Sequence, residues 1–419
     1  MKILKKNFYE NVSGILLIFL PVALVIGQLL SEIIVIFISL GFLLISYKKK
    51  LIHYFQNSFF YFFLCFWIYL VLNGLLNNQN FDTIRISLSY IRFGIFFIAI
   101  VYLLNFNKNI IYHFFLSFFI LFYFFIFDGF FQFFNGSNIF GYKLYAIDGG
   151  FRLSSFFGDE YKMGSYLSRL FPIFFGMWLL LKKKFKPTLN LLVAFNFVFI
   201  DALIFLSGER ASFFFYNLSA IFMMLLLKEN KFLRFKIFFV SLLIIVFISI
   251  AYPVSKNRIF NLTKEQMFSQ NKFILFSEQH TEHYVAAYKM FNDNKLYGIG
   301  IRNFRYFCAD EKYLTKLSCS THPHNTYIQV LSETGFVGFA FILFLFLFLT
   351  VKLTQHLFLI FRGKYLFNDF EIAMLSAIFI TLWPIIPSGN FFNGWLNIIY
   401  YLPIGFLIWS LNKRFKIIS

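Results

Sequence analysis

The stretch "CSTHPHNTYIQVLSETGFVGF", residues 319–339, passes from a polar segment into an almost wholly apolar run, and reading it decides the fold. Pro323 disfavours helix at His322, while Asn325 and Thr326 are good capping types, so a helix is expected to begin there. The apolar residues that follow continue well past the roughly 20 needed to cross a bilayer. Titratable side chains thus stand at the mouth of a membrane span. His324 there would be partly shielded from water yet within reach of a substrate hydroxyl, and an imidazole with ordinary pKa of about 6.5 suits general-base work. Two other readings stay open on these residues alone. The histidines could hydrogen-bond loop backbone at the interface, or His322 and His324 could begin a zinc site, although no Cys or carboxylate partner is near.

The rest of the chain agrees with a membrane fold. It is 59% hydrophobic and only 14% charged, against about 25% charged in a soluble domain, and its mean hydropathy is +0.71. The expectation is an all-α polytopic membrane protein of about twelve spans. They lie near 12–30, 31–47, 59–76, 84–104, 110–134, 161–181, 188–206, 211–227, 237–254, 326–351, 371–387 and 393–411. The first run flows into the second without a small-residue cleavage site and reads as a retained span. Cys65, inside an apolar run, reads as core packing.

The net charge of +19 does not indicate a nucleic-acid partner, because the cations sit in short clusters between apolar runs. Lys48–Lys50, Lys108, Lys182–Lys184, Lys186, Lys228, Lys231, Arg234, Lys236, Lys352, Arg362, Lys364, Lys413, Arg414 and Lys416 fall in alternate connections, whereas 77–83 and 388–392 contain no Lys or Arg. This pattern expects both termini in the cytoplasm. It divides the chain into spans 1–9 (1–254), a large outer loop (255–325) and spans 10–12 (326–419). Four of the seven histidines, His280, His283, His322 and His324, lie in that loop.

Outer-face arginines run against this charge rule and mark anion sites or pathways. Glu209 and Arg210 in "FLSGERASFF" occupy one outer turn, and a guanidinium there can hold two phosphate oxygens. Arg152, Asp159, Glu160, Lys162 and Arg169 gather around another span start, with Arg169 about eight residues inside the apolar run. Arg85 and Arg92, seven apart, would share a helix face as structural ion-pair members. Gly298 and Gly300 suggest a tight turn followed by Arg302 and Arg305. Cys308 and Cys319, in a loop placed outside, suit a disulfide worth about 2–3 kcal/mol.

Taken together, "LSGERASF", "FNDNKLYGIGIRNF" and "THPHNTYIQVLSETGFVG", in chain order, resemble motifs of the bacterial O-antigen ligase and O-antigen polymerase superfamily. The resemblance implies a GT-C-like helical glycosyltransferase of the bacterial inner membrane. It would move a glycan from an undecaprenyl-diphosphate carrier to an acceptor hydroxyl on the periplasmic face, without a metal or other cofactor. The acceptor would be lipid A core for a ligase or a growing glycan for a polymerase, and the surrounding partner is membrane lipid. On this reading His324 is the acceptor-activating base and Arg210 neutralises the diphosphate. His322, Asn325, Glu209, Arg152, Glu160 and Arg169 join the substrate-binding candidates. Relatives often carry an arginine where "QHTEHYVAAY" has His280, Glu282 and His283. Arg302 or Arg305, with His280 as alternative, is therefore expected to supply the second phosphate clamp. A lipid-linked glycan flippase is the competing class.

Overall fold

The computed structural model describes residues 7–77, 80–147, 149–229, 231–268 and 276–418. Its main helices are α1 (Phe8–Ile26), α2 (Gln28–Lys49), α3 (Ser58–Leu76), α4 (Phe81–Ser89), α5 (Ile91–Phe106), α6 (Asn109–Asn135), α7 (Met163–Leu181), α8 (Pro187–Leu206), α9 (Arg210–Leu226) and α10 (Lys231–Ala251). They continue with α11 (Glu278–Asp293), α12 (Thr326–Phe361), α13 (Asp369–Thr381) and α14 (Gly394–Ile418). A two-stranded antiparallel hairpin, β1 (Tyr145–Ile147) with β2 (Gly150–Arg152), departs from the all-α expectation.

Ten helices among the described residues are long and apolar enough to cross a membrane. The two expected spans outside that set are short. α9 has 17 residues and α13 has 13, giving lengths of about 25 and 20 Å against a hydrocarbon core of about 30 Å. α13 stops before the expected boundary because "WPIIPSGN" follows: Pro384 and Pro387 lack amide donors and push their predecessors out of helix. The irregular 382–393 segment is half-buried, with Leu382 and Asn390, Phe391 and Phe392 buried and Ile385 exposed; cover by protein is what lets non-helical backbone survive beside a bilayer.

In lipid, helix association rests on packing and interhelical hydrogen bonds. α7 packs on α13 and α9, α5 on α14, and α8 on α10. Tyr166 Oη donates to Pro21 O (2.8 Å), Trp395 Nε1 to Leu24 O (2.8 Å), and Tyr90 Oη to Asn397 Oδ1 (2.7 Å). α4 and α5 run on through Tyr90, which keeps helical dihedrals (φ −62°, ψ −25°), as one span over Phe81–Phe106. Arg85 pairs with Asp82 at the surface, and Arg92 pairs with partly buried Glu32 at 2.9 Å. Cys65 is exposed on α3 rather than packed in the core; an apolar run does not reveal which of its faces meets lipid.

Local contacts define two ends of the bundle. At one, Lys182 pairs with Glu229, and the amides of Lys228 and Glu229 donate to Asp369. The other gathers the hairpin, the 207–210 turn, residues 253–268 and 276–325, and the 382–393 segment.

Candidate active site

The 319–326 stretch is fixed against the irregular segment after α13. Asn325 caps α12, accepting from the amides of Tyr327 (2.9 Å) and Ile328 (3.1 Å), and donates to Pro384 O at 2.7 Å. The His322 ring spans Thr321 Oγ1 (2.9 Å) and Ser388 O (3.3 Å), while Ser388 N donates to His324 O at 2.8 Å. His324 is held at φ +60°. A left-handed conformation costs a non-glycine residue about 1–3 kcal/mol and persists only where the surroundings impose it. Here Ser388 and the Asn325 cap do so. The His324 Nε2 then lies 2.9 Å from Ser320 Oγ.

α11 brings up the other two imidazoles. Ser277 caps it, and His280 and His283, three residues apart, share the face toward His324. Ring centroids separate by 4.1 Å for His322–His324, 5.3 Å for His283–His324, 5.5 Å for His280–His324 and 6.3 Å for His280–His283. Burial, reinforced by His283, lowers His324 to about 4. Burial and the neighbouring His324 lower His280 to about 4 and His322 to about 3, and burial lowers His283. The cluster is therefore neutral at pH 7, the state in which imidazole accepts a proton.

Beside the cluster lies a cavity of about 620 Å³, with Arg152, Arg210, Arg258 and His280 in its lining. Arg210 Nη1 reaches Gln266 Oε1 (2.7 Å) and Thr263 Oγ1 (3.3 Å). Glu209 lines it too, but its carboxylate accepts from the amides of Gly164 (2.6 Å) and Ser165 (3.0 Å) and from Ser212 Oγ (2.9 Å). That is an acidic cap on the positive end of α7. Arg152 Nη1 donates to Gly208 O at 3.4 Å. Gly208 has φ +69°, and a Cβ there would stand 2.5 Å from Phe151 O and 3.2 Å from Arg258 Cγ. The S-G-E-R turn thus needs its glycine to let the hairpin and Arg258 close over it.

The two glycine-bearing motifs form one joint. α12 kinks at Gly335 (φ +65°), and the carbonyls this frees are taken from outside: Ile299 N donates to Ser332 O (3.0 Å) and Gly300 N to Glu333 O (2.9 Å). A Cβ on Gly298 would lie 2.5 Å from Gly335 N, and one on Gly335 2.3 Å from Leu296 O. The G-I-G turn and E-T-G therefore pack backbone to backbone. The loop between them is closed by the Cys308–Cys319 disulfide, Cα atoms 5.0 Å apart.

Of the sequence candidates, Arg152, Glu209, Arg210 and His280 line the cavity, His324 adjoins it through His280, and His322 lies behind His324. Arg302 and Arg305 are not in its lining. Arg305 donates to Thr321 O (3.2 Å) on the His322 side, whereas Arg152, Arg258 and His280 line the cavity with Arg210. Glu160 is exposed and pairs with Lys162. Arg169 is buried in α7, bonded to Ser165 Oγ (2.6 Å) and set over the Phe215 ring at 4.8 Å. Sequence reasoning missed two residues. Arg258 follows an apolar run on the side that lacks lysine clusters, the same signal that marks Arg210, and His283 sits one helical turn from His280.

Residues 194–343, running from α8 to just past the α12 kink, match the family model described as O-antigen ligase. That span carries Arg210, Arg258, all four clustered histidines and both glycine motifs, while Arg152 lies outside it. No curated protein matches the chain.

Proposed function

We propose, from the match of residues 194–343 to the O-antigen ligase family model, that this chain transfers a glycan from a polyprenyl-diphosphate carrier to an acceptor hydroxyl. The cavity takes the diphosphate, with Arg210, Arg152 and Arg258 aimed at its oxygens and His280 beside them. His324 removes the acceptor proton as the acceptor oxygen attacks the sugar carbon bonded to the diphosphate. Charge then develops on the departing phosphate oxygen, where the guanidiniums stabilise it. One well-aimed donor of this kind contributes about 3–4 kcal/mol.

The observation that carries this reading is the juxtaposition of an arginine-lined cavity and a neutral imidazole cluster at one end of the bundle, joined by His280. Its position supports transfer over transport, since transporters set their binding groups near the bilayer midplane on paired broken helices. The lysine clusters at the opposite end support a periplasmic site, with the termini in the cytoplasm of an inner-membrane protein. Lipid A core as acceptor, that is ligase activity, is the preferred form, and joining of repeat units is the alternative.

A knockout analysed by surface-polysaccharide gel tests the assignment. Loss of all chain attached to lipid A core is the result expected of a ligase, and one remaining repeat unit marks a polymerase. An unchanged ladder would refute both.

A further inference from the structure

His283 is used by nothing described so far. It is 1% exposed, and both its ring nitrogens are buried without a hydrogen-bond partner. A buried polar group left in that state is costly, by about 1–3 kcal/mol. An apolar side chain would fill the site at less cost, so an imidazole retained there calls for a use. Its ring lies nearly parallel to His324, 26° apart at 5.3 Å, and its other imidazole neighbour is His280 at 6.3 Å. Imidazole nitrogens donate and accept in the ring plane, so passing a proton between these rings requires each to turn about its Cβ–Cγ bond until a nitrogen edge meets its neighbour. His280 in turn lines the arginine cavity.

We propose that His324, His283 and His280 form a proton relay that carries the acceptor's proton to the leaving diphosphate. The inference rests on the glycosyl-transfer reading and extends it. As the acceptor oxygen bonds to the sugar carbon, its O–H bond breaks and the proton goes to His324. The carbon–oxygen bond to the carrier breaks with its electron pair on the phosphate. The proton then passes through His283 to His280 and onto a terminal oxygen of the released polyprenyl diphosphate. Each imidazole returns to its neutral state, and no external acid or base is consumed. The three rings hold protons weakly, which favours passing the proton on over storing it. His283 acts through its neighbours and is a positioning and relay residue.

The test uses the full-length protein in nanodiscs, with donor lipid and acceptor extracted from knockout cells that accumulate them. His283→Ala is expected to lower kcat by about tenfold or more with the donor KM little changed, and added imidazole should restore part of the rate while leaving wild type unaffected. A fully active variant, or a folded one whose lost rate imidazole does not restore, overturns the relay. If that variant does not fold, the wild-type rate in mixtures of light and heavy water decides: a curved dependence on deuterium fraction supports several protons in flight, and a linear one overturns the proposal. His324→Ala separates the two levels. An active His324→Ala removes the underlying base assignment, whereas inactive His324→Ala beside fully active His283→Ala removes only the relay.

Discussion

The two ends of the bundle use positive charge in opposite ways. At the lysine-bearing end cations are met locally: Lys182 pairs with Glu229, Lys49 with Glu10, and both outer nitrogens of Arg234 cap α9 through Met223 O and Leu227 O. At the other end, Arg152, Arg210 and Arg258 line a cavity together with His280, and the hydrogen bonds of Arg152 and Arg210 go to neutral partners: Gly208 O for the first, Gln266 and Thr263 for the second. Cations paired with carboxylates or capping a helix are already neutralised or used. Guanidiniums gathered around a cavity on neutral partners are placed to meet an anion there.

Substitutions should reproduce that asymmetry. The largest effect is expected from His324→Gln, a loss of about 10²–10⁴ in transfer rate with donor binding retained. Arg210→Ala should follow, losing about 10²–10³, and Arg210→Lys should recover only part because an ammonium cannot grip two oxygens at once. Lys182→Gln at the opposite end removes one surface pair worth about 1 kcal/mol or less, and transfer by the folded protein should stay within about twofold. Comparable losses at both ends would break the comparison.

pH sharpens it further. With His324 near 4 instead of 6.5, kcat/KM should stay level from pH 8 to about 5 and fall only as the folded cluster takes up protons; an acid limb near 6.5 would contradict this. Stability moves over a different window. The unfolded imidazoles protonate near 6.5 while the folded ones resist to about 4 or below. Their contribution is therefore present above 6.5 and is lost as pH falls from there toward 4.

What the sequence made legible was local. The apolar run and its Asn325 cap, and the Arg210 turn, are written in adjacent residues. The parts it hid are contacts across long separations: Gly208 under Arg258, His283 against His324, and Gly298 against Gly335. No periodicity connects such positions. "GIG" could be read only as a turn, because the reason for its glycines lies in the kink of a helix about forty residues later. α13 was read too long because hydropathy scores Pro384-Ile385-Ile386-Pro387 as apolar, although its prolines end the helix.

The account turns on the separation of a phosphate-holding cavity from a proton-accepting cluster. Its most direct test is equilibrium binding of undecaprenyl diphosphate to the purified protein in nanodiscs, compared for wild type, a combined Arg152→Ala and Arg210→Ala variant, and His324→Gln. Binding weakened by about tenfold or more in the arginine variant, with His324→Gln binding like wild type yet failing to transfer glycan, is the predicted result. Unchanged binding without the two arginines would contradict it.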